Sequence, residues 1–207
     1  MKERIIANIK KMTSILSEMI ELVYQGFMEN DAHYLNRALN KEHIMDDLEK
    51  EITISIIQVF KTLDKKEQKE FIFLEQAAQH IERMGDELRY LMERMEIKIA
   101  ENLFFSEMGV EQYKETFEKM RKSVNLTIEF LNEDKHELLK MILKNGDEIK
   151  ETVEKYRTEH LERLAKGICK PRAANMYFDM LDFTGNIARH CTNIARIYKE
   201  KHGFGIF

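Results

Sequence analysis

The sequence is poor in everything that interrupts a helix. One proline and eight glycines are spread over 207 residues, while 34% of the chain is charged. Turn-rich sheet architectures need more breakers than this, so a few long helices joined by short connections are expected. No apolar run approaches the roughly 18 residues of a membrane span, and the mean hydropathy is negative. The two cysteines, Cys169 and Cys191, stand too far apart for a zinc-knuckle spacing and read as reduced thiols without assigned chemistry. Met1-Lys2-Glu3-Arg4 leads into alternating charged and apolar positions with no signal-peptide h-region, so a cytoplasmic protein is expected. A formal net charge of −4 with interspersed signs offers nucleic acid no general attraction.

What is present is helical periodicity. Ile5, Ile9, Met12, Leu16, Met19 and Val23 recur every three or four residues and define a first helix ending near Met28. Asn30 or Asp31 caps a second helix, with Met45, Leu48, Ile52, Ile56, Val59 and Leu63 on its stripe. Asp64 followed by Glu67 is a capping-box pattern for a long third helix running through Leu74, Ala78, Ile81, Leu88, Met92 and Ile99. The pattern breaks between Asn102 and Gly109. It resumes with Tyr113, Phe117, Met120 and Val124 on a fourth helix and Leu138, Ile142, Ile149, Val153 and Tyr156 on a fifth. Gly167 and Pro171 bracket a turn before a sixth helix through Tyr177, Leu181, Ala188, Cys191 and Tyr198. The expected architecture is all-α: two tandem three-helix bundles, residues 1–104 and 105–207, each helix burying one stripe against two neighbours. The 13 methionines read as ordinary core filling.

Two acid-x-x-x-acid pairs, Glu42 with Asp46 and Glu82 with Asp86, each place two carboxylates one turn apart beside an apolar stripe. Among 37 acidic residues such pairs arise readily by chance, so their position carries the argument and their frequency does not. The second half offers Asp147 with Glu151, shifted by 105 residues, and Asp182 with Asn186, shifted by 100. Gly85 and Gly185 fall at matching mid-helix places, where glycine weakens a helix by about 1 kcal/mol relative to alanine and so points to close helix approach. The chain therefore reads as an internal duplication. Carboxylate pairs converging within a bundle would form an oxygen-rich cluster suited to Mg, Mn, Fe or Zn. His190, one turn beyond Asn186, could add a nitrogen ligand in the second bundle, with His43 and His80 weaker candidates.

Over nearly its whole length the chain resembles the PhoU family. Ile81-Glu-Arg-Met-Gly-Asp-Glu-Leu88 is similar to the family's I-E-R-I-G-D-H-A signature, and Glu42-His-Ile-Met-Asp46 to its acidic second-helix motif. The resemblance implies tandem three-helix bundles and, in some members, iron or zinc clusters on paired E(D)xxxD motifs. Glu42, Asp46, Glu82 and Asp86 take that role by resemblance, with Asp147, Glu151, Asp182 and Asn186 as the second set. Asn186 departs from the family's usual aspartate and supplies no negative charge. The segments His160–Cys169 and Asp182–Ala195 also look similar to the PhoU-like tail of bacterial sodium/phosphate cotransporters.

The implied role is regulation of phosphate uptake by contact with a membrane phosphate transporter or its sensor histidine kinase, without catalysis and peripheral to the membrane through that partner. The alternative is a metal-independent helical adaptor for another transport system. A ferritin-like di-iron enzyme would need two Glu-x-x-His motifs, and only Glu133-x-x-His136 is present. The apolar Gly203–Phe207 tail could support a homodimer.

Overall fold

The structure, a computed structural model, describes residues 1–133 and 135–202. The Gly203–Phe207 tail lies outside them. Six α-helices carry the described chain: α1 Lys2–Glu29, α2 Ala32–Val59, α3 Lys65–Ala100, α4 Glu107–Glu133, α5 Leu138–Ala165 and α6 Pro171–His202. A 3-10 turn, Phe60–Thr62, ends the second helical segment where the periodicity had continued to Leu63.

The local signals explain the boundaries. Asn30 adopts a left-handed conformation (φ 54°) that stops α1, and the Asp31 side chain accepts from the His33 amide to start α2. Asp64 accepts from the amides of Lys66 and Glu67 while the Glu67 carboxylate accepts from the Asp64 amide, so the expected capping box is formed. Gly167 (φ 70°) takes the left-handed position after α5, and Pro171 opens α6.

The helices α1, α2 and α3 pack mutually, as do α4, α5 and α6, giving the two three-helix bundles. The most extensive pairing, however, joins the bundles: α3 runs antiparallel to α6, with Phe73 against Tyr198 near one end and Arg94 ion-paired with Asp179 towards the other. The helix α1 also touches α4, and the buried residues form one continuous core. A single stripe per helix is therefore too simple. Besides the stripe containing Ile81, Leu88 and Met95, α3 buries a second one, Phe73, Ala77, Met84 and Leu91, which serves its contact with α6. The outer helices α2 and α5 each serve one bundle, and between each of them and its neighbour, α3 or α6, lies a groove.

Candidate metal centre

Helical spacing sets Glu42, Asp46 and Glu49 along α2 opposite Glu82, Asp86, Arg89 and Glu93 along α3. Met45 fills the space that Gly85 leaves between the two helices: a Cβ there would lie 2.9 Å from Met45 Cε, the flexible end of that side chain. Arg89 spans the groove. Its Nε donates to Glu42 Oε1 (3.1 Å), Nη2 to Asp86 Oδ1 (3.2 Å) and Nη1 to Glu93 Oε1 (3.2 Å), and its guanidinium sits 4.5 Å from the Tyr90 ring centroid. Glu42 is 6% exposed, so this arginine neutralises a buried carboxylate.

Among the described residues Glu82 forms no such ion pair. Burial, followed by the charges of Asp86 and Asp46, pushes its pKa up to about 7. On α2, Glu42, His43 and Asp46 hold potential ligand atoms within 4.8 Å of one another, the one such group among the described residues. Two carboxylates and an imidazole beside a carboxyl whose pKa burial raises form a donor set that could hold a divalent cation. A cation there would supply the positive charge that Glu82 lacks, and would compete with Arg89 for Glu42 and Asp86.

The second groove differs. Asp182 pairs with Arg157, a Cβ on Gly185 would lie 3.5 Å from Val153 Cγ2, and Gly146 abuts Thr192. These contacts keep the 100-residue match of α3 with α6, but they set Val153 where the first bundle has Met45. Glu42 then corresponds to Lys150, Asp46 to Glu154 and Glu49 to Arg157. Matching Glu42 with Asp147 and Asp46 with Glu151 is short by three residues, almost one turn, and acids flank an apolar stripe in both registers. Asp147, Lys150, Glu154, Asp182, Asn186 and Arg189 line a cleft of 490 Å³, while Glu151 lies exposed outside it. The second groove is thus of mixed charge. Asn186 turns its amide to Glu87, donating to both carboxylate oxygens at 3.2 Å.

His190 faces α3 instead of this cleft. Its Nδ1 lies 3.0 Å from His80 Nδ1, so one ring donates and the other accepts. Burial holds both imidazoles below the usual histidine pKa, His190 at about 4, with Arg83 adding to the effect on each. Arg89 is the residue that sequence reading missed. Its signal was present, one turn beyond Gly85 on the acidic face of α3.

The family model for the PhoU domain matches residues 9–95 and again 113–198. No curated protein matches the chain by sequence. The crystal structure of PhoU from Pseudomonas aeruginosa superposes with a TM-score of 0.89 at 13% identity, over 98% of this chain and 97% of that one. The phosphate transport system regulatory protein PhoU from Streptococcus pneumoniae gives 0.87 at 12% identity, over 99% and 96%. A PhoU-like protein from Shewanella oneidensis gives 0.71 at 11% identity, over 97% and 96%. Those structures share the fold, and the two domain matches together span most of the sequence: the chain belongs to the PhoU family of phosphate-transport regulators.

Proposed function

We propose that this chain is a cytoplasmic, non-enzymatic regulator of phosphate uptake that acts through helix-face contact with a membrane phosphate transporter or with its sensor histidine kinase. The observation that carries the reading is the double domain match: both repeats are retained within one fold. Among the described residues no helix is long and apolar enough to cross a membrane, which suits attachment through a partner. Homodimerisation is compatible with this role.

The α2–α3 groove is the proposed metal centre. Glu42, His43 and Asp46 would hold iron or zinc, with Mg or Mn second in rank, and Glu82 and Asp86 would complete the anionic surroundings. Asp147, Glu151, Asp182, Asn186 and His190 are weaker ligands because Lys150, Arg157 and Arg189 surround the second groove and His190 is committed to His80.

One observation favours a metal-independent adaptor: Arg89 already neutralises Glu42 and Asp86 from within the chain. Pairwise co-expression with the transporter's membrane component or the sensor kinase, using parent and Glu82→Lys/Asp86→Lys chains, tests the contact. Retention by the parent and loss in the variant are expected; failure of the parent to be retained by either partner overturns the reading. Elemental analysis of chelator-free protein, with Glu82→Ala/Asp86→Ala beside it, separates the metal-loaded regulator from the adaptor.

A further inference from the structure

At the end of the second bundle, away from both grooves, the loop before α4 meets the loop before α6 around a cleft of 260 Å³. Asn102, Ser106, His160 and Lys170 contribute its polar wall, and Phe104 and Ile168 stand on the rim, 76% and 61% exposed. Among the described residues no acidic side chain lines this cleft. Of the positive charges around it, Arg172 in the first turn of α6 is paired with Glu101. Among the described residues no carboxylate forms an ion pair with Lys170, with Arg163 behind His160, or with the buried Lys98, whose ammonium lies 5.8 Å from the Phe105 ring centroid and donates to Asn30 Oδ1.

His160 gives the cleft its direction. It is 2% exposed, stacked on Tyr177 (centroids 4.3 Å apart) and edge-on to Phe178. Arg163 Nη2 lies 3.0 Å from its Nδ1. A guanidinium can only donate, so Nδ1 accepts and the neutral ring carries its proton on Nε2. Burial, with Arg163 second, holds the ring neutral by lowering its pKa to about 4. Among the described residues the buried Nε2–H donor has no partner, a state that favours uptake of an acceptor.

Two helix N-termini open at the same place. Ser106 caps α4 through the Gly109 amide (3.2 Å). The first intrahelical bond of α6 runs from the Ala174 amide to the Lys170 carbonyl, which puts Lys170 at the N-cap. A lysine has no acceptor for the following amides, and its charge opposes the positive end of the helix dipole. A carboxylate or hydroxyl is the ordinary residue there, and the chain supplies neither.

We propose that this cleft binds a small oxyanion, accepted by His160 Nε2–H, the Lys170 ammonium and the first-turn amides of α6. The anion takes the place of the missing cap, and the donors suit tetrahedral oxyanions. The volume lies just below the roughly 300 Å³ at which drug-sized pockets begin, so the ligand is a single ion or the anionic group of a small metabolite. Nε2 is shielded from solvent in the unliganded fold, so binding requires a side chain of the cleft wall to shift.

The test is ¹⁵N NMR of the full chain titrated with inorganic phosphate, sulfate and acetate, against chloride at matched ionic strength. Saturable shifts of the His160 Nε2 resonance and of the Arg172 and Ala173 amides are expected, with a Kd on the order of 1 mM for phosphate or sulfate. Lys170→Glu, at an exposed position that leaves the core intact, should weaken binding about ten-fold or more. His160→Phe keeps the stack on Tyr177 and should weaken it too. Saturation by phosphate alone assigns a phosphate site, by phosphate and sulfate alike a general tetrahedral oxyanion site. Saturation by acetate alone, shifts that track chloride, or binding unchanged by Lys170→Glu overturns the proposal.

Discussion

Asn186 donates its side-chain amide to both carboxylate oxygens of Glu87, 3.2 Å from each, across the α3–α6 interface. The residue that interrupts the acidic repeat is therefore held by a structural contact, since an aspartate here would oppose one carboxylate with another. Burial already raises the Glu87 pKa, while Asn186 and Arg189 lower it. Restoring the acid with Asn186→Asp should destabilise the fold by about 1–3 kcal/mol at pH 8 and by less at pH 5, where the pair can share a proton. Urea unfolding at the two pH values measures this.

Arg89→Ala removes the counter-charge from Glu42, a carboxylate 6% exposed. Stability in a chelator should fall by about 1–3 kcal/mol. Zinc or manganese should then raise the melting temperature of the variant more than that of the parent, because the cation no longer competes with the guanidinium. Equal shifts in the two proteins would show that Arg89 and the cation occupy separate places.

The His80–His190 pair predicts acid sensitivity. Both rings are neutral in the fold, with His190 held at about 4, whereas an unfolded histidine titrates near 6.5. Folded pKa values below the unfolded value mean that the stabilisation is complete above pH 6.5 and is lost as the pH falls towards 4. Glu82, raised to about 7, acts oppositely, stabilising more below pH 4.5 than above 7. The histidine contribution is isolated by comparing the parent with His80→Gln/His190→Gln across pH 4–7. The variant should show a shallower loss towards acid.

Two glycines should respond differently to alanine. A Cβ on Gly26 would lie 2.5 Å from Leu35 Cδ2, the tip of a fully buried side chain with little room to move, and 3.3 Å from the Asp31 carbonyl oxygen. A loss of about 1–3 kcal/mol is expected. At Gly185 the Cβ meets Val153 Cγ2 at an ordinary 3.5 Å, so alanine should gain most of its helix propensity, about 0.5–1 kcal/mol. Thermal unfolding of the two variants checks both signs.

The helices were legible because their signals are local. The Asp64–Glu67 box, the Asn30–Asp31 boundary and the Gly167–Pro171 turn each fix a helix end with groups a few residues apart. The second stripe of α3 was harder to read, since His80 and Glu87 interrupt it and their partners His190 and Asn186 are about a hundred residues away. The acidic motif of α2 was legible as a pattern, but its partner in the repeat was not. A slip of three residues nearly preserves a helix face, and only the contacts of Val153 with Gly185 and of Arg157 with Asp182 set Lys150 where Asp147 had been expected. Arg89 went unread because its role depends on a Glu42 buried by tertiary packing.

The measurement that bears most directly on the central claim is phosphate uptake in cells from which this chain has been deleted, followed with radiolabelled phosphate after growth in phosphate-rich medium. A regulator of phosphate transport predicts uptake that stays high despite abundant phosphate, returned to the restrained rate by the parent chain and not by Glu82→Lys/Asp86→Lys. Uptake identical with and without the chain, in both rich and poor phosphate, would contradict the account.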